Sequence, residues 1–216
     1  MRRNNSGKFS RTLSTLAATV LLAVGLSGCI KFDMDMKIDK NEKVSGTFIV
    51  AISEGVITMM GQKPDDFIKD MMKEDPNTTV PKGAKVKQTA YHKGGWAGVS
   101  LEYTNMPISE FTKSAGKAAG GVSGGSTSTS GDDFSLKKVG GNYEFSGTMD
   151  FSTGTGTSGS DASTKQMLKQ FKPEMRVKMT FPGDIIKTNG KKDGKSVTWV
   201  PVMGKKVVMQ ATAKAS

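Results

Sequence analysis

The chain has 216 residues, with 31 Lys and Arg against 20 Asp and Glu for a net charge of +11, one cysteine and one histidine. One cysteine cannot make an internal disulfide, and one histidine cannot supply a multi-histidine metal site or serve both a triad and a ligand set. Stability must come from an apolar core, and the length suits one α+β domain or one with an insertion.

The first element is an export signal. Arg2, Arg3, Lys8 and Arg11, with no acidic residue among them, precede an apolar run from Leu13 to Leu26. The run ends in Leu26-Ser27-Gly28-Cys29, and the pattern resembles a bacterial lipoprotein signal. In such signals the cysteine sulfur receives a diacylglyceryl group and the peptide is cut before it. That makes residues 1–28 the cleaved peptide and Cys29 the lipidated first residue of a mature domain, 29–216. The apolar run is short and interrupted by Gly, Ser and Thr, whereas a spanning helix needs roughly 20 apolar residues. Asn4-Asn5-Ser6 after Arg2-Arg3 does not complete a twin-arginine motif, so Sec export is expected. Without its first 28 residues the chain keeps a net +7. Such a domain is attracted to anionic headgroups and envelope polyanions, and export removes nucleic acid as a partner.

From Ile30 to Ile38 apolar and polar residues alternate without interruption, predicting a half-buried strand. Asp39 to Lys43 forms a polar turn, and Val44, Gly46, Phe48, Val50 and Ile52 continue the period as its hairpin partner. Between Glu54 and Glu74 the period changes to that of two short amphipathic helices, the second opening at Pro64 with Asp65 and Asp66 in its first turn. A second hairpin follows around Gly94-Gly95, with Val99, Leu101 and Tyr103 facing the core, and Pro107 opens a helix carrying Ile108 and Phe111. Glycine- and serine-rich stretches at 116–131 and 152–163 lack the apolar content to order themselves. Between them Phe134 to Leu136 and Tyr143 to Phe151 read as two strands. A short helix at 164–171 stops at Pro173, and strands are expected around Met175–Phe181, Val197–Trp199 and Val207–Ala211. Nothing after Asp184 is long and apolar enough for a second membrane anchor.

Catalytic constellations are poorly represented. His92 precedes Lys93-Gly94-Gly95, which suits a solvated turn residue better than a general base. Asp33 and Asp35 share one strand face, a spacing that suits a cation or acid–base chemistry. Lys31 and Lys37 flank them there, and a self-neutralised solvent face is the better account. No nucleophile elbow occurs, and the glycine-rich stretches lack the lysine and hydroxyl of a phosphate-binding loop. No metal or cofactor is expected.

Methionine is the unusual residue: 13 of 14 follow Cys29, beside 3 tyrosines and 2 tryptophans. A flexible, polarizable methionine surface can repack around acyl chains of varied shape. The alternative is that methionine fills a leucine-poor core.

Lys31 to Ser53, Phe181-Pro182-Gly183, Asn189-Gly190, Val197-Thr198-Trp199 and Ala211-Thr212-Ala213 resemble the LppM domain of actinobacterial lipoproteins. The resemblance spans most of the mature chain. It implies an α+β fold, a monoderm- or mycolic-type envelope and a role in binding envelope lipids or glycolipids. It supplies no active-site residues.

The expected architecture is α+β, a mainly antiparallel curved sheet with two or three short helices, from 54–74 and 107–117, packed on one face. A slot between helices and sheet, lined by Phe48, Val50, Met59, Met60, Phe67, Ile68, Met71 and Met72, is the expected lipid site, with Lys69, Lys73, Lys85 and Lys87 as its headgroup rim. The expected protein is a non-enzymatic lipoprotein on the extracytoplasmic face of the cell membrane. The alternatives are a protein-interaction module of the envelope and, more weakly, an envelope hydrolase.

Overall fold

The computed structural model describes residues 30–73, 83–111, 134–150, 173–202 and 205–215. Residues 1–29, which hold the expected signal and Cys29, both glycine-serine stretches and the helix expected at 164–171 lie outside them.

Strand β1 (Ile30–Ile38) turns through residues 39–42 into β2 (Lys43–Ser53), in register from Ile38 opposite Val44 to Ile30 opposite Ile52. The turn is held by Asp39, whose Oδ1 accepts the backbone N–H of Asn41 and of Lys43 at 2.8 Å each, while Glu42 takes a left-handed φ of 60°. An aspartate that bonds the backbone two residues on is a local turn former, which is why this polar stretch reverses the chain.

The chain then forms helix α1 (Glu54–Met59) and helix α2 (Pro64–Met71). Gly61, at φ +76°, separates them, and Pro64 starts α2 without wasting an N–H. Strands β3 (Lys85–Lys93) and β4 (Trp96–Pro107) follow as the second hairpin. Its turn has positive φ at both Gly94 and Gly95, the backbone that matches strand twist. Near its other end β4 bulges: Thr104 and Asn105 oppose Ser45, and the Asn105 N–H donates to Ser45 Oγ at 3.0 Å. Pro107 ends the strand and residues 108–111 are helical.

The later strands are β5 (Phe134–Val139), β6 (Asn142–Asp150), β7 (Glu174–Thr180), β8 (Ile185–Thr188), β9 (Lys191–Asp193), β10 (Ser196–Trp199) and β11 (Lys206–Lys214). They divide between two open sheets, a seven-stranded one ordered β3-β4-β2-β1-β7-β10-β9 and a four-stranded one ordered β5-β6-β11-β8. The fold class is α+β and antiparallel-rich, as the alternation predicts, but the single curved sheet is replaced by two. Among the described residues the β1–β7 pair is parallel and the others are antiparallel.

Each sheet has one apolar face, and the two contribute to the same core. Phe32, Met34, Met36 and Ile38 of β1, Met175, Val177 and Met179 of β7, and Phe145, Met149 and Met209 of the smaller sheet are all buried in it. Phe32 meets Phe48 edge-on at 5.0 Å within the larger sheet, and Phe145 of β6 meets Trp199 of β10 at 5.3 Å between sheets. Near the crossing from β7 to β8, a Cβ on Gly183 would lie 2.4 Å from the Lys214 carbonyl oxygen, so only glycine allows that approach. A second cluster joins Ile57 of α1, Ile68 of α2 and Ala97 of β4, with Ile52, Met60 and Phe67 packed against it. Residues directly opposite in a ladder share a face, so Ile52 and Ala97 place the helices on the same face of the larger sheet as the main core.

Candidate functional site

The outer face of the larger sheet carries the charges read from β1. Arg176 of β7 grips Asp33 with two hydrogen bonds, Nε–H to Oδ1 at 2.9 Å and Nη2–H to Oδ2 at 3.0 Å, and also lies 3.6 Å from Asp35. Lys178 sits 3.6 Å from Asp35, and Lys31 bonds Glu174. Burial pulls the Lys31 pKa down, but the Glu174 hydrogen bond and nearby negative groups outweigh it, leaving the ammonium above its ordinary range. The two aspartates are thus neutralised across the parallel ladder by Arg176 and Lys178. The ion pairs come from β7 and not from Lys31 and Lys37 on the same strand, although the Asp33 charge contributes to raising Lys31. Alternation in Met175, Val177 and Met179 does turn Arg176 and Lys178 outward, but nothing local tells that β7 lies beside β1.

His92 is not an isolated turn residue. Its Nε2 lies 3.2 Å from Glu54 Oε1 at the start of α1, and its Nδ1 lies 3.5 Å from Asp65 Oδ1 in the first turn of α2. The ring is 44% exposed and bridges the starts of both helices to β3. Among the described residues no group of three or more histidine, cysteine or acidic side chains is arranged to hold a metal ion.

The eight apolar residues expected to line one slot are divided. Phe48 is buried in the main core with Val50 half-buried against it, whereas Ile68, Phe67 and Met60 belong to the helix cluster. Met71 is half-buried, and Met59 and Met72 are exposed at 59% and 39%. Met59 projects outward because Val56 and Ile57 take the inward positions of so short a helix.

Between the two clusters the inner face of the larger sheet is incompletely covered. Val50, Leu101 and Tyr103 are half-buried and packed against the main core, whereas Val99 opposite Val50, Phe48 opposite Leu101, and Ala97 and Val44 further along the same face are buried. The C-terminal end of α2 is fixed at this place, where Gln88 Nε2 donates to the Met71 carbonyl at 3.2 Å and Gln88 stands opposite Leu101. The Met71 end of α2 is thereby held beside Gln88, the ladder neighbour of Leu101. Burial raises the Tyr103 phenol above its ordinary pKa, and no described residue supplies a hydrogen-bond partner for its hydroxyl. Leu101 and Tyr103 were legible as core-facing, but their partial exposure depends on where α2 ends.

The basic residues expected at the rim also separate. Lys69 lies 3.6 Å from Asp66 and Lys73 bonds Asp70 at 2.6 Å, both on the exposed side of α2. That bond raises the Lys73 pKa and lowers the Asp70 pKa. Lys85 and Lys87 flank the buried Val86 on β3 and so stand on the outer face, away from the apolar opening. No helix among the described residues is long and apolar enough to cross a membrane.

Comparison with known proteins fits this architecture. The LppM domain family model matches residues 31–215. The fold is similar to the NMR structure of the folded domain of Mycobacterium tuberculosis LppM, with a TM-score of 0.57 and 20% identity, covering 86% of this chain and 90% of that one. No curated protein sequence matches. At that identity the structural likeness speaks for the fold alone, and membership follows from a family model that spans most of the chain: the protein belongs to the LppM-domain family of lipoproteins.

Proposed function

We infer that this protein is a non-enzymatic lipoprotein, held to the extracytoplasmic face of the cell membrane by diacylglyceryl-Cys29, whose domain takes up envelope lipid or glycolipid. The observation that carries the reading is the half-buried apolar strip of Val50, Leu101 and Tyr103, with the Met71 end of α2 held beside Gln88 opposite Leu101. Acyl chains laid there gain roughly 25 cal/mol for each Å2 of apolar surface removed from water. Methionine side chains at the end of α2 adapt to chains of different shape with little strain. The hydroxyl of Tyr103 offers one polar contact at the floor of an otherwise apolar strip, a mix typical of lipid and small-molecule sites.

The test is lipid retention by the protein purified from its own membranes. Replacing Met71 and Met72 together by aspartate puts two charges at the end of α2 while leaving both clusters intact. Co-purifying lipid is expected to fall to the level of a non-binding control with export unchanged. Full retention by the double variant would remove this strip from consideration.

A further inference from the structure

One end of the domain gathers the groups that suit a bilayer surface. Ile30 opens β1, and Cys29 is the residue before it in the sequence. Register places Ser53, Lys93 and Trp96 at that same end, and Glu174 opposite Lys31 adds the start of β7. Strand β10 runs antiparallel to β7, so Val200 and Val202, just after it, also emerge there. The beginning of β11 belongs to this end as well, because its other end, at Lys214, is bonded to Asp184 beyond the far terminus of β7.

Two of the large exposed apolar side chains lie in this region, Val200 at 68% and Val202 at 51%, and Met59, 59% exposed, ends the short helix that follows Ser53. Half-buried Trp96 joins them, with the Lys31 ammonium 5.8 Å from its ring centre. Indole rings favour the headgroup level of a bilayer, where an apolar body and a polar edge are both accommodated. Four of the local acids are engaged: Glu54 and Asp65 face His92, Asp66 faces Lys69, and Glu174 faces Lys31. Lys63, Lys93 and Lys205 are exposed and have no carboxylate partner among the described residues, while Lys206 stands opposite Asp150 in the ladder. The end is therefore apolar at its tips with uncommitted positive charge around them.

We propose that this end, with Met59, Trp96, Val200 and Val202 at its tips, seats directly on the anionic bilayer that holds the lipid anchor, so the domain stands on the membrane by its strand ends and does not tumble on a tether. The proposal rests on lipidation of Cys29, and the experiment separates the two. The full-length lipoprotein, processed in its host, is reconstituted into vesicles of phosphatidylcholine and phosphatidylglycerol containing brominated lipid. Trp96 and Trp199 are the two tryptophans, and Trp199 is buried between the sheets. Trp96 emission, isolated in Trp199→Phe, is expected to drop to about half, whereas Trp199 emission in Trp96→Phe stays unchanged. A fluorophore on Lys93→Cys, with both tryptophans kept, reports the same contact if Trp199→Phe does not fold. Adding Met59→Asp and Val202→Asp should abolish the quenching while the protein still floats with the vesicles. Protein that floats, with the diacylglyceryl mass on Cys29, but shows no quenching at Trp96 or Lys93 overturns the seating and leaves the lipoprotein reading standing. Protein that lacks that mass and does not float overturns both.

Discussion

Asn189 holds Trp199 by a hydrogen bond between sheets: its Oδ1 accepts the indole Nε1–H at 2.8 Å and the Gln210 backbone N–H at 2.8 Å, while its Nδ2 donates to the Val208 carbonyl at 2.7 Å. One amide thus ties β10 of the larger sheet to β11 of the smaller. Gly190 beside it has no room for a side chain, since a Cβ would lie 2.6 Å from Trp199 Nε1. Asn189→Ala strands two donors and one acceptor and is expected to cost about 2 kcal/mol, lowering Tm by roughly 4–8 °C. Asn189→Asp keeps the acceptor and should lose less. Thermal unfolding of the two variants checks both expectations; equal and negligible shifts would show that the sheets hold together without this link.

Gly98 faces β2 so closely that a Cβ would lie 2.1 Å from the Val50 carbonyl oxygen. Gly98→Ala must push β2 and β4 apart and is expected to destabilise by about 3 kcal/mol or more, visible as loss of soluble protein or a large fall in denaturation midpoint. Gly95→Ala meets open space but keeps a φ of +80°, so the expected cost is only about 1–2 kcal/mol.

Arg176→Ala is expected to cost less than about 1 kcal/mol, and the difference from wild type should shrink in high salt, because the ladder it joins is on the solvent-facing side. Urea titrations at low and high ionic strength measure this. A loss of several kcal/mol would mean that the outer face is covered.

Tyr103 ionises above the ordinary tyrosine value of 10.0 because burial disfavours the phenolate. A folded-state pKa above the unfolded one gives a contribution fully present below about 10 and lost as pH rises through the folded value. Tyr143 is shifted the same way, first by burial, so part of the alkaline loss is its own. Tyr103→Phe is expected to be neutral near pH 7 and to flatten the decline above pH 10, read from midpoints across that range. An unchanged alkaline slope would assign the loss elsewhere.

The strands that hold one face against the core were readable from a period of two: β1 shows it without a break, β2 shows it less strictly because Phe48 to Ile52 is a continuous apolar run, and Asp39, Pro64 and Gly94-Gly95 mark the reversals by their own chemistry. Strand β9, Lys-Lys-Asp, has no apolar residue and pairs only because β10 lies beside it. The parallel pairing of β1 with β7 joins residues 143 apart, such as Asp33 and Arg176, and no local pattern specifies it. The apolar strip was partly legible for the same reason. Met60, Phe67 and Ile68 follow helical periodicity onto one cluster, but the boundary between that cluster and the core containing Phe48 depends on the tertiary placement of α2.

The most direct test is native mass spectrometry of the mature protein, extracted from its own membranes and incubated with lipid from the same cells. The account predicts a discrete adduct beyond the mass of the diacylglyceryl anchor, surviving gentle activation and absent from the Met71→Asp, Met72→Asp double variant. A spectrum without adduct, under conditions that preserve a known lipid complex, would contradict lipid binding and favour a protein partner in the envelope.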